Sequence, residues 1–223
     1  MPARILDGKD LARRLGERLS RQVEGLKAKG IAPRIASILV AGDEASEWYV
    51  KNQGKSATKL GIGFDLEQLP HDTSAEKLAG LIERLNKDAS ITGIMLQVPL
   101  PQGLNGDEFQ QLISPAKNIE GMNNRSLGEM LRGGDQLVPC TARAVIEILL
   151  DAGIEMSGKR AVVVGKSAIV GKPLALMLLA REATVTVCHR MTQDLASICR
   201  EADILCTAVG RRAGMFDASY VKA

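Results

Sequence analysis

Short apolar runs alternate with amphipathic stretches of helix length along almost the whole chain, and few folds accommodate that pattern. RIASILVAG (34–42) is a β-branched run ending in glycine, which reads as a buried strand. Before it, Leu11, Leu15, Leu19, Val23 and Leu26 recur at helical spacing and Gly30 closes them, so 10–28 reads as an amphipathic helix. A helix from Glu44, a strand at 64–69, a helix at 74–86, a strand at 91–99 and a helix at 105–113 follow. The pattern resumes with a helix at 141–152, strand 160–165, helix 171–181, strand 184–188, helix 193–201 and strand 203–210. Strands alternating with helices predict an α/β protein with mostly parallel sheets covered on both faces.

Between 114 and 140 the alternation dissolves into a stretch rich in Gly, Asn, Pro and Ser, too long for a plain connector. The domain junction is placed there, giving an N-terminal α/β domain at 1–138 and a Rossmann-like domain at 139–223, as a chain of 223 residues allows. With only 3% aromatic residues the core must be aliphatic. The net charge of +3 is spread among mixed signs and gives no case for a nucleic-acid partner. Cys140, Cys188, Cys199 and Cys206 lack metal-ligand spacing, so neither a metal site nor a disulfide framework is expected, and a cytoplasmic setting fits. The charged N-terminus, and the lack of any uncharged run of about 18 residues, predict neither export nor a membrane partner.

VVVGKSAIVGKP (162–173) is a strand, a loop with Gly165 and Gly171, and a helix with Pro173 near its start. It reads either as an ordinary strand-to-helix turn or as a place where backbone N–H groups, with Lys166 and Ser167, meet a phosphate. Arg190 follows the next strand, where dinucleotide folds contact the adenosine ribose. A base there suits the 2′-phosphate of NADP; the alternative is a solvated surface arginine. In the helix from Glu44, Tyr49, Gln53 and Ser56 share a side, and Tyr49 serves either core packing or stacking on a flat ligand. Gln97 ends an apolar strand, at the edge where open α/β sheets bind ligands, and is either a ligand-facing or a structural amide.

Together these segments resemble one family. ILDGKDLA (5–12), GDEAS (42–46), YVKNQGK (49–55), Gly61-Ile62, LQVPLP (96–101), PAKNIEG (115–121), PCT (139–141), GKSAIVGKP (165–173), TVTVCHRMT (184–192) and ADILCTAVG (202–210) match, in order and spacing, the bifunctional methylenetetrahydrofolate dehydrogenase/cyclohydrolase family. The resemblance implies a homodimer acting on tetrahydrofolate derivatives, with a folate-binding catalytic domain, an NADP-binding domain and a cleft between them. It implies hydride transfer from 5,10-methylenetetrahydrofolate to NADP, then addition of water to the methenyl product to give 10-formyltetrahydrofolate. Tyr49 would stack on the folate, Gln97 would bond the catalytic side chain, Gly165, Lys166 and Ser167 would hold cofactor phosphate, and Arg190 the 2′-phosphate.

Three departures stand out. The family's catalytic lysine falls four residues after the tyrosine, where this chain has Gln53. Glutamine does not titrate near neutral pH, so it cannot move the proton that hydrolysis needs. Lys51 and Lys55 are no substitutes, being about 200° around the helix from position 53. The dehydrogenase step is therefore expected to survive and the cyclohydrolase step to be impaired. Secondly, Glu120 takes the place of the pterin-reading aspartate, shifting its carboxylate by roughly 1 Å. Thirdly, the family continues past ADILCTAVG with a strand, a glycine-rich loop and a helix, whereas this sequence stops at Ala223, so the second sheet is expected to lack a part. The competing expectations are a non-catalytic folate- or nucleotide-binding homologue, and another Rossmann dehydrogenase.

Overall fold

A computed structural model describes residues 4–134, 136–210 and 214–222. Contacts gather residues 7–124 into one compact unit, and residues 125 onward with 4–6 into a second.

The first unit runs α1 (Gly8–Lys27), β1 (Arg34–Val40), α2 (Glu44–Lys59), β2 (Gly63–Leu69), α3 (Ala75–Lys87), β3 (Gly93–Leu96) and α4 (Gly106–Leu112). Asp7, Asp43, Ser74 and Asn105 each accept a hydrogen bond from a first-turn N–H of α1, α2, α3 and α4, so the sequence writes these helix starts as capping residues. The sheet is parallel in the order β2-β1-β3, with Ser37 opposite Met95 and Ile38 opposite Leu96. Side chains alternate across a strand. Ala36, Ile38 and Val40 therefore join one core with Leu78, Ile82 and Leu85 of α3 and Phe109 of α4, while Ser37 and Leu39 face the opposite way. Each fully buried aliphatic side chain of α3 contributes roughly 1.5–3 kcal/mol.

The second unit runs α5 (Asn124–Leu131), α6 (Cys140–Asp151), β4 (Arg160–Val164), α7 (Gly171–Leu179), β5 (Thr184–Cys188), α8 (Leu195–Arg200) and β6 (Ile204–Thr207), then a 3₁₀ turn at Ala218–Tyr220. Its parallel sheet has the order β5-β4-β6. Ala161 and Val163 pack with Ile146 of α6 and Leu174 and Leu178 of α7, and Val162 and Val164 pack on the other face with Cys188 and Cys199. Helices thus cover both faces, as a buried parallel sheet requires.

In both units the first strand lies at the centre, the second on one side and the third on the other. The chain therefore reverses the direction of sheet growth once per unit, and at such a switch point the loops leaving adjacent strands part and open a crevice.

The structure differs from the sequence reading in three places. Residues 124–131, read as connector, form α5, a two-turn helix whose Asn and Gly residues hide its apolar pair, Leu127 and Met130. Residues 125–138, assigned by sequence to the first domain, group with the second unit because Met130 and Val138 are buried in its core. The strands expected at 91–99 and 203–210 are shorter in the structure, 93–96 and 204–207.

Candidate functional site

At the switch point of the first sheet stands Gln97, the residue after β3, only 7% exposed. Its backbone N–H donates to Ile38 O at 2.9 Å, extending the ladder by one rung and aiming the side chain at the α2 face. The Gln97 Nε2 donates to Ser37 Oγ at 3.0 Å and to Gln53 Oε1 at 2.9 Å. Both amide hydrogens are thus spent on neutral partners, one from the strand beneath and one from α2. Tyr49 lies one helical turn before Gln53 and is 49% exposed, so its ring has a face to offer a ligand. Ser56, Lys51 and Lys55 are exposed on the same helix.

Glu120 joins this group from the other side of β3. Residues 117–120 run along the strand's free edge: Ile94 N–H donates to Lys117 O at 2.7 Å, and Ile94 bridges Asn118 in parallel. Gly93 permits the approach, since a Cβ there would meet Ile119 Cγ2 at 2.6 Å. The Gln110 side chain and the outward-facing backbone of Leu96 are the polar groups that favour the charged form of the Glu120 carboxyl. Burial nevertheless raises the Glu120 pKa above its ordinary value, outweighing both of these groups, which lower it. The carboxyl is therefore one backbone step from Gln97 and costly to ionise.

In the second unit, the loop after β4 begins at Gly165, whose φ of +130° suits glycine alone. Its N–H donates to Cys188 O at 2.8 Å. A Cβ at Gly165 would land on the Ala208 carbonyl oxygen, and a Cβ at Gly171 on the Gly165 carbonyl oxygen. These glycines let three backbone segments close together at the switch point. Ser167 Oγ accepts from Val170 N and Gly171 N at 3.1 and 3.4 Å, shaping the loop that feeds α7. A cavity of about 350 Å³ opens beside it, lined among others by Gly165, Lys166, His189, Arg190, Thr192 and Ala208. The turn carrying Arg190 is held by His189 N–H donating to Thr192 Oγ1 at 2.8 Å and Met191 N–H donating to His189 Nδ1 at 3.2 Å.

The expected residues thus fall into two groups, each within its own unit: Tyr49, Gln53, Gln97 and Glu120 in the first, and Gly165, Lys166, Ser167 and Arg190 in the second. Ser37 was not foreseen. Its signal is a single hydroxyl inside the apolar run 35–40. Among the described residues no group of three or more His, Cys, Asp or Glu is gathered as a metal site would require, and no helix is long and apolar enough to cross a membrane.

A glycine loop and cavity at one sheet's switch point, with a buried amide cluster at another's, define a two-unit α/β protein of the Rossmann, nucleotide-binding class. Residues 6–120 match the model for the tetrahydrofolate dehydrogenase/cyclohydrolase catalytic domain and residues 139–223 that for its NAD(P)-binding domain, and the chain belongs to this family. It is 45% identical to the bifunctional protein FolD of Moorella thermoacetica over 95% of this chain and 75% of that protein. It is also 45% identical to the protein of the same name from Halalkalibacterium halodurans, over 100% of this chain and 79% of the relative. The structure of the Campylobacter jejuni bifunctional FolD enzyme superposes with a TM-score of 0.95 at 37% identity, covering 97% of this chain and 77% of that one. That of the Trypanosoma brucei methylenetetrahydrofolate dehydrogenase-cyclohydrolase, complexed with NADP cofactor and inhibitor, gives 0.95 at 32% identity, covering 100% and 77%.

Proposed function

We propose that this chain oxidises 5,10-methylenetetrahydrofolate to 5,10-methenyltetrahydrofolate with NADP, and that hydrolysis of the methenyl product to 10-formyltetrahydrofolate is impaired. The observation that carries the reading is the Gln97–Gln53 hydrogen bond, which puts a neutral amide where the family's proton-transferring lysine belongs.

The second unit fits the cofactor on its own geometry. Gly165 and Gly171 let the loop backbone close on Ala208 and on itself, where a Cβ at either position would collide, and Lys166 and Arg190 line the adjoining cavity. Gly165, Lys166 and Ser167 would hold phosphate, and Arg190 the 2′-phosphate, for which a fixed fork of donors is suited. Bound NADP supplies the hydride acceptor. In the first unit Tyr49 offers a ring face to the pterin, Gln97 holds its side chain beside Gln53, and Glu120 presents carboxylate oxygens to pterin N–H groups. These groups bind and orient, and orientation alone supports a hydride step. Water addition also requires proton movement, and neither Gln53 nor Gln97 titrates.

The test is an absorbance assay with 5,10-methylenetetrahydrofolate and NADP, following NADPH and the methenyl species together. NADPH formation with accumulating methenyl product is expected. Methenyl decay faster than in buffer shows that another group moves the proton. No reduction of NADP or NAD, with folate still bound, supports the non-catalytic binding homologue that Gln53 also favours.

A further inference from the structure

The central strand β1 is buried from Ala36 to Val40, and four of those five residues are aliphatic. The fifth is Ser37, with 0% of its surface exposed. Stripping a hydroxyl of water costs roughly 1–3 kcal/mol unless a partner replaces it. Its partner is the Gln97 amide, 60 residues away in sequence and 3.0 Å away in space. The strand's alternation turns Ser37 away from the α3 core and toward α2, where Gln53 stands.

A carboxamide can turn end for end about its last bond, exchanging NH2 for oxygen in nearly the same place. Gln97 now directs nitrogen toward both Ser37 and Gln53. A hydroxyl accepts from an amide N–H or donates to an amide oxygen, so Ser37 can hold Gln97 either way round. Residue 53 then decides the polarity: glutamine takes either end, whereas lysine, which only donates, takes the oxygen. We infer that Ser37 is a positioning residue, anchoring the Gln97 side chain beside residue 53 whichever end of the amide faces it, and that productive folate binding depends on this anchor. The inference rests on the dehydrogenase reading above.

Two substitutions test it together. Ser37→Ala leaves a small void and Ser37→Val overfills it by one methyl, while both remove the hydroxyl, so an effect of the same sign and size in both belongs to the hydrogen bond and not to volume. In both, kcat/KM for 5,10-methylenetetrahydrofolate is expected to fall about tenfold, equivalent to ~1.4 kcal/mol, with the KM for NADP within about twofold of the parent. A general packing defect would move both parameters. The second readout needs no turnover: ¹⁵N NMR of the Gln97 side-chain amide, assigned by its loss in Gln97→Glu. One of its two proton signals is expected to shift and exchange faster with water in both variants. Unchanged amide signals in both, or kinetic loss in only one, overturns the anchor. If the parent shows no dehydrogenase activity, that reading fails, and the NMR comparison still decides whether Ser37 holds Gln97.

Discussion

The Nε2 of Gln97 donates to the Oε1 of Gln53 at 2.9 Å, tying the end of β3 to the third turn of α2 through two neutral amides. Lysine at position 53 would offer only N–H donors, so the Gln97 amide must turn its oxygen toward it, a turn that the Ser37 hydroxyl can follow. An ammonium there titrates, and general acid/base groups contribute typically 10²–10⁴-fold. In Gln53→Lys the decay of methenyltetrahydrofolate is expected to accelerate by about 100-fold or more over the parent, with the dehydrogenase rate within about threefold. Methenyl absorbance reads both steps. A variant that folds, reduces NADP and hydrolyses no faster than the parent shows that Gln53 is not what limits the second step.

Arg190 lines the cavity beside the Gly165 loop, and its guanidinium offers a planar fork of donors. A charge-assisted hydrogen bond to a phosphate contributes about 1.5–3 kcal/mol, so Arg190→Ser is expected to raise the KM for NADP by about 10- to 100-fold. The KM for NAD, which lacks the 2′-phosphate, should change by about twofold or less. Equal losses for the two cofactors would instead make Arg190 a support for the turn at His189 and Thr192.

Glu120 gives a pH signature. Burial holds its pKa above the ordinary 4.5, so the folded protein binds this proton more tightly than the unfolded chain does. The favourable contribution is complete below 4.5 and is lost as pH rises from there through the higher folded value. Glu120→Gln cannot titrate. Its melting temperature is therefore expected to rise relative to the parent as pH increases from 4.5 toward neutrality. Asp10, held low by Arg13, Asp88, by Ser90, and Asp203, by Lys222, act in the opposite sense at lower pH and cancel in the comparison. A difference that stays flat or reverses would mean that the Glu120 carboxyl is not desolvated in the folded chain.

The elements of both sheets were legible because each strand and helix carries its own period, and in the first unit Asp7, Asp43, Ser74 and Asn105 also stand where the helices begin, whereas α6, α7 and α8 have no side-chain cap. α5 was not, because eight residues with one Gly and one Asn hold too little periodicity to outweigh their composition. Gln53 and Gln97 were paired through the resemblance alone, because their contact spans 44 residues and depends on how α2 lies over the sheet. The role of Ser37 depends on the β1–β3 register, which neither strand encodes alone. Glu120 was located by resemblance, but the run of residues 117–118 beside Ile94 that brings it to β3 follows from that strand having a free edge, a property of strand order.

The glycines of the second unit separate packing from conformational freedom. A Cβ on Gly171 would run into the Gly165 carbonyl and come within 3.0 Å of the Lys166 N, all backbone atoms that cannot swing aside. Overpacking of that kind costs typically ~1–3 kcal/mol, so Gly171→Ala is expected to lower the melting temperature by about 3–10 °C. It should also abolish measurable NADP binding, since relief comes only by opening the loop that Lys166 and Ser167 occupy. Gly80, in the middle of α3, is the control, because nothing lies within 4 Å of a Cβ built there. Gly80→Ala should gain roughly 0.5–1 kcal/mol from helix propensity and leave the KM for NADP unchanged. Calorimetry with and without NADP measures both variants. If Gly171→Ala melts with the parent and still binds NADP, the contact between the two glycines does not shape the loop.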